Sequence, residues 1–280
     1  MSPVTDLVRD EPAASSGRGR AGLAGIAALK RYLDVIVYKA GADLRAERER
    51  TYLGLLWWIF EPLLYMVVFW LVFERLLQRG GEGYVQFVLV GLVSWQWIKS
   101  GISHCAGSIM EARTVIQHVA LPPAIFPLVV VLTDTVKFVV VLTLLLLALG
   151  LSGVPVSPSW LSLPLVLLVQ LACIAAASAW LAALVPFVPD LRLAAETVLM
   201  ALMFLSGIFF RASALPEHVQ AVFFLNPVAF LIEQNRRVLL RAEWPDWAGL
   251  AVLGCGALLV LAAAIGTMQV LRRYYPKLPA

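Results

Sequence analysis

The sequence predicts an all-α integral membrane fold: six transmembrane helices, an N-terminal amphipathic interface helix, and a re-entrant helix pair before the last span. Three observations carry this reading. The 280 residues are 61% hydrophobic and 14% charged, with a mean hydropathy of +0.84, whereas soluble domains sit near 45–50% apolar and about 25% charged. Apolar runs long enough to cross a hydrocarbon core of about 30 Å recur along the chain. Lys and Arg are distributed unevenly over alternate connections, as charge-directed orientation requires. The chain divides into a disordered cytoplasmic tail (1–26), the interface helix (27–50) and a six-span domain (51–280), with no room for a sizeable soluble domain.

Residues 1–26 combine Ser, Gly, Arg and Pro and lack an apolar core with a cleavage site. They read as a tail and not as a signal peptide. In 27–50, Leu29, Leu33, Ile36, Val37, Ala40 and Leu44 share one helical face, and Lys30, Arg31, Asp34, Lys39, Asp43 and Arg45 fill the rest. That pattern predicts an amphipathic helix in the cytoplasmic interface, its basic residues toward anionic headgroups. An ordinary solvated helix is the alternative.

The first span, 55–77, is the stretch around which the rest is organised. Glu61 and Pro62 stand about two turns into it. A carboxylate and a proline are tolerated there where the helix faces protein or a water-filled cavity. Trp57 and Trp58 suit an interfacial belt. Tyr65, Phe69 and Phe73 repeat every four residues and form one face. This face is either a packing or lipid-facing stripe, or the lining of a conduit that stacks sugars.

A Gly-rich turn at 79–83 leads into the second span, 85–103, where Lys99 can snorkel to the interface. The chain then turns polar over 104–123. Ile109, Met110, Arg113, Val115, Ile116 and Val119 suit a short amphipathic helix, punctuated by Pro122 and Pro123. The third span, 124–149, contains Asp134 and Lys137 at i, i+3. They read as a mutually neutralising pair among helices, or as part of an ion or proton relay. A Pro/Ser/Gly loop precedes the fourth span, 161–185, and a tight return at 186–192 precedes the fifth, 193–210.

Within 211–247 the apolar stretch 219–232 is too short to span and is split by Asn226-Pro227. Pro216 can open one short helix, while Asn226 caps a second with Pro227 at its first position. Two short apolar helices with a break predict a segment that dips into the membrane and returns. Arg236, Arg237 and Arg241 follow it on the outer side. The last span is 247–269, followed by Arg272, Arg273 and Lys277. With both termini inside, fourteen Lys and Arg lie on inner segments. Six lie outside: Arg75, Arg79, Arg211, Arg236, Arg237 and Arg241. The bias places both ends in the cytoplasm. No internal repeat is visible.

Several chemistries have no residues to carry them. There is no GxxxxGK[ST] loop, so ATP hydrolysis is expected on a separate subunit. No GxSxG, HExxH or Asp-rich diphosphate cluster occurs. Cys105, Cys173 and Cys255 are scattered, and His104, His118 and His218 lie far apart, so no metal or cofactor site is expected. The net charge of +4 and pI near 9.1 do not point to nucleic acid, since much of the basic excess precedes the first span.

From about Leu29 to the C-terminus the chain resembles the permease subunits of polysaccharide-exporting ABC transporters, those for O-antigen, capsule and teichoic acid. The marks are the basic amphipathic helix, then Leu53-Gly54, Trp57 and Pro62 opening the first span. The second span, YVQFVLVGLVSWQW over 84–97, follows with Gly91 and Trp95. The segment 111–122 looks like the family's cytoplasmic coupling segment, and Asn226-Pro227 followed by Arg236 matches its late motif. Pro189-Asp190 stands where relatives often carry Arg-Asp. The resemblance implies a homodimer joined to two separate ATPase subunits, moving a glycan on undecaprenyl diphosphate or a phospholipid anchor in the bacterial cytoplasmic membrane. Ile109, Glu111, Arg113, Ile116 and Val119 would form the ATPase-coupling loop, with Ile109, Ile116 and Val119 packing into the ATPase cleft or onto the bundle. Tyr65, Phe69 and Phe73 are candidate conduit-lining residues. Glu61, Pro62, Asn226, Pro227 and Arg236 are candidate gating or structural residues. Two other functions fit an apolar polytopic chain: a permease for a drug or small lipid, and a polyprenyl-lipid glycosyl- or phosphotransferase, which would need the acidic cluster that is missing here.

Overall fold

The computed structural model describes residues 18–50, 60, 64, 67, 68, 71, 72, 83–118 and 121–275. Glu61, Pro62, Tyr65, Phe69, Phe73 and Val119 therefore lie outside the described residues. What is described is helical and connected by short loops. Helix α1 (Arg18–Arg50) begins upstream of the expected start at 27. Helix α2 (Tyr84–Cys105) follows Gly83, whose φ of 80° makes the entry turn a left-handed one. The polar segment after it holds two short helices, α3 (Ser108–Glu111) and α4 (Arg113–His118), broken at Ala112. Helix α5 (Ile125–Leu151) comes next, then a 3-10 turn (Pro158–Ser162) leading into α6 (Leu163–Leu184). Helices α7 (Asp190–Leu205), α8 (Glu217–Phe223), α9 (Pro227–Leu240) and α10 (Trp247–Leu271) complete the chain.

By length and composition, three described helical segments can cross a membrane: α5, α6 with its 3-10 lead-in, and α10. Helix α2 has the length, but Gln86, Ser94, Gln96, Lys99 and Ser100 interrupt its apolar character. Helix α7 is shorter than the expected 193–210 span. Its 16 residues rise about 24 Å, and it starts with Asp190 and Arg192. It ends where Gly207, at φ 68°, turns the chain, and a Cβ there would come within 2.7 Å of the Phe223 ring.

The core forms where α2 meets α5, α6 and α9. Trp97 of α2 stacks on Phe138 of α5 with ring centroids 4.0 Å apart. Against α6, close approach depends on Gly101, where a Cβ would lie 2.5 Å from Ile174 Cγ2. The Ser178 hydroxyl then reaches the Gly101 carbonyl at 2.8 Å. Small residues at helix contacts let backbones approach in this way. Ala179, Ala182 and Ala183 of α6 likewise receive Ala264 and Met268 of α10.

Helix α1 packs its Ile36 and Ala40 against Ile125 and Val129 of α5. Further along the same two helices Glu47 meets Lys137. The helices therefore run side by side in the same direction, over about 16 Å of rise. Part of the apolar face of α1 is thus satisfied by protein, while Val37 and Tyr38 remain exposed.

Candidate functional site

Two clusters of polar groups stand at opposite ends of α2. At the Tyr84 end lies a lock built on Arg236, the tenth residue of α9. Asn226 caps that helix: its Oδ1 accepts from the Val228 N–H at 3.0 Å, and Pro227 occupies the first helical position. The Asn226 Nδ2 donates to the Ser206 hydroxyl at 2.9 Å, tying the start of α9 to the end of α7. Arg236 is 3% exposed. Its Nε donates to the Phe87 carbonyl (3.1 Å), Nη1 to Gly207 (2.8 Å) and Nη2 to Ile208 (3.0 Å). The guanidinium also lies 3.4 Å over the Phe87 ring. Tyr84 donates to the next carbonyl, that of Phe209, at 2.9 Å. Three successive carbonyls beyond α7 are thus taken by two side chains.

The lock requires Gly91, because a Cβ there would sit 2.5 Å from Arg236 Nη2. Beside it, Asn235 Nδ2 donates to Gln170 Oε1 at 3.0 Å, and Gln170 Nε2 donates to the Ser94 carbonyl at 3.0 Å, cross-linking α9, α6 and α2. Gln234 Oε1 accepts from the Asp246 N–H at 2.8 Å, at the start of α10. Sequence reasoning found Arg236 but not this network. The run Gln234-Asn235-Arg236 within an apolar helix was the available signal, since polar groups there must find partners.

At the Cys105 end lies the predicted coupling segment. Ile109 is buried among Ala179, Ala182, Ala183, Met268 and Tyr275, and Ile116 packs against the same cluster. Both therefore anchor the segment onto the bundle. Tyr275 closes the cluster by donating to the Ala183 carbonyl at 3.3 Å; burial pushes its phenol up to about 12, so it stays a neutral donor. Met110, Glu111, Thr114 and Val115 face outward, and Arg113 is half-buried with its Nε unpartnered among the described residues. Glu111 and Arg192 flank Gly107. A Cβ at Gly107 would be 2.9 Å from Glu111 Oε1 and 3.8 Å from Arg192 Nη1. The 186–192 return therefore sits beside the coupling segment.

Asp134 and Lys137 do meet, but loosely, at 3.8 Å. The tighter contacts cross between helices. Lys137 Nζ reaches the Glu47 carboxylate of α1 at 2.6 and 2.8 Å, and His104 Nδ1 lies 2.8 Å from Asp134 Oδ2. His104 and Glu47 were not legible as partners, being 30 and 90 residues away in the chain from the groups they meet. No group of three or more metal-ligating side chains occurs among the described residues.

The described residues form an all-helical bundle with short loops, three of its helical segments long and apolar enough to cross a membrane. The ABC-2 type transporter family matches residues 43–240, and the chain belongs to that family. It is an integral, multi-pass membrane protein. Its similarity to individual relatives runs over most of their length. It is 26% identical over 240 residues to the O-antigen export system permease protein RfbA of Myxococcus xanthus, covering 84% of this chain and 92% of that one. It is 24% identical over 200 residues to a protein of the same description from Klebsiella pneumoniae, covering 71% and 77%. A second Klebsiella pneumoniae protein so described is 24% identical over 208 residues, covering 74% and 80%.

Proposed function

We propose that the chain is the membrane-spanning permease subunit of an ATP-driven exporter that moves a lipid-linked polysaccharide of the O-antigen, capsule or teichoic-acid type across the bacterial cytoplasmic membrane. The family match over 43–240 carries the class, and the relatives named for O-antigen export support the substrate. In this reading the chain has six spans with both termini cytoplasmic. Residues 55–77, α2, α5, α6, α7 and α10 supply the spans, and α8 with α9 dips from the outer side and returns. The Arg236 lock then stands at the outer mouth and holds the α7–α8 turn rigid.

Two copies form the exporter, since a conduit for a polymer is more easily built between two bundles than inside one. A separate ATPase subunit docks on the face that carries Met110, Glu111, Thr114 and Val115. Burial of Ile109 makes that face a firm lever on α6 and α10. The drug or small-lipid reading and the transferase reading have no comparable support.

The expected outcome is that the purified chain alone hydrolyses no ATP, and that hydrolysis and glycan export appear only on co-expression with an ATPase partner. Metal-dependent turnover of a polyprenyl-linked sugar by the isolated chain would overturn this in favour of the transferase.

A further inference from the structure

We propose that Glu47, Lys137, Asp134 and His104 form an electrostatic latch that sets how firmly α1 is held against α5, and that the proton on His104 tunes it. The contact between α1 and α5 has an apolar end and a charged end. Its apolar part is the patch of Ile36 and Ala40 on Ile125 and Val129, which lies well below Glu47 along the helix. At the upper end Glu47 pairs with Lys137. Helix α1 ends at Arg50, directly before the apolar run 55–77.

Lys137 stands between two carboxylates. Glu47, across the contact on α1, lies at 2.6 Å; Asp134, three residues back on the same helix, lies at 3.8 Å. Asp134 is 4% exposed and needs compensation whatever α1 does. Its other partner is His104, whose side chain is 57% exposed. Among the described residues, the charged groups facing His104 are Asp134 and Lys137 from α5 and Glu47 from α1.

Two states follow. When the His104 ring carries a charge, the imidazolium compensates Asp134, Lys137 is released to Glu47, and α1 is held. When the ring is neutral, Asp134 draws Lys137 back along its own helix and the grip on Glu47 loosens. The converse holds by linkage: docked α1 pulls Lys137 away from Asp134, which favours the proton on His104. Docking and proton uptake are coupled with the same sign. Lower pH tightens the latch as His104 takes up its proton.

The test uses the full chain in lipid nanodiscs, with the three native cysteines replaced and spin labels at Tyr38→Cys on α1 and Val115→Cys on α4. Pulsed electron resonance reads the ratio of displaced to docked α1. Glu47→Gln is expected to raise that ratio roughly fivefold, the scale of a part-exposed ion pair. Glu47→Gln combined with Lys137→Met should raise it by less than the two changes do separately, because both remove the Glu47–Lys137 pair. Going from about pH 8 to about pH 6 should lower the ratio in the otherwise unaltered chain and leave it unmoved in His104→Gln. A Glu47→Gln distribution that coincides with the parent refutes the latch. A pH response of undiminished size in His104→Gln refutes the tuning. Glu47 and His104 are both partly exposed, so neither neutral variant disturbs the core.

Discussion

Arg236→Lys is the perturbation that most directly tests the lock at the Tyr84 end of α2. The guanidinium spans three carbonyls on two elements, Phe87 of α2 and Gly207 and Ile208 beyond α7. An ammonium is a compact point charge and cannot bridge that span. Each charge-assisted bond contributes about 1.5–3 kcal/mol, so losing two of the three removes roughly 3–6 kcal/mol. The stranded carbonyls are buried. The guanidinium's own desolvation cost is not recovered, because the ammonium is harder still to bury. A net local loss of about 3 kcal/mol raises the opening constant of the 206–210 turn roughly a hundredfold. Hydrogen exchange at the amides of Gly207 to Phe210, in nanodiscs, would show this while α6 and α10 keep their protection.

Gly91→Ala should produce a similar loosening by driving a Cβ into Nη2. Added to Arg236→Lys, it should cost much less than it does alone, since the group it strikes has gone. Unchanged exchange in Arg236→Lys, or full additivity of the two substitutions, would refute the claim that Arg236 holds the turn.

Two further outcomes concern sidedness and the partner. Arg113→Glu and Glu111→Arg should leave insertion intact but weaken co-purification of the ATPase roughly three- to tenfold at low salt, with the difference shrinking as salt screens the contact; unchanged co-purification and export for both would remove these charges from the interface. Single cysteines at Glu217 and Arg241, both exposed, should label from the outer side, and one at Val228, which is buried, should be shielded. Labelling of Glu217 only from the cytoplasm would reject the six-span topology.

What the sequence by itself determined were the properties that depend on neighbours in the chain. Apolar runs of sufficient length declare α5, α6 and α10, because hydrocarbon admits little else. The Asn226-Pro227 cap was legible because its donor, Val228, is two residues away. The i, i+3 meeting of Asp134 and Lys137 was legible because helical spacing places them on one face.

Tertiary structure decided the rest. Sequence alone presented Lys137 with Asp134 as its partner, yet the closer carboxylate is Glu47, brought in when α1 aligns along α5. Arg236 was singled out by the resemblance, as the arginine that follows Asn226-Pro227, and was placed with the outer basic residues. Its partners could not be, because they are backbone carbonyls, which every residue carries and no sequence pattern marks. Likewise Gly91 and Gly101 look alike in a span, and only packing shows that one admits a guanidinium and the other an isoleucine. The coupling segment's amphipathic pattern left open whether Ile109 faced a partner or the bundle. The small residues of α6 made the cleft that received it, and so left Glu111 and its neighbours facing outward.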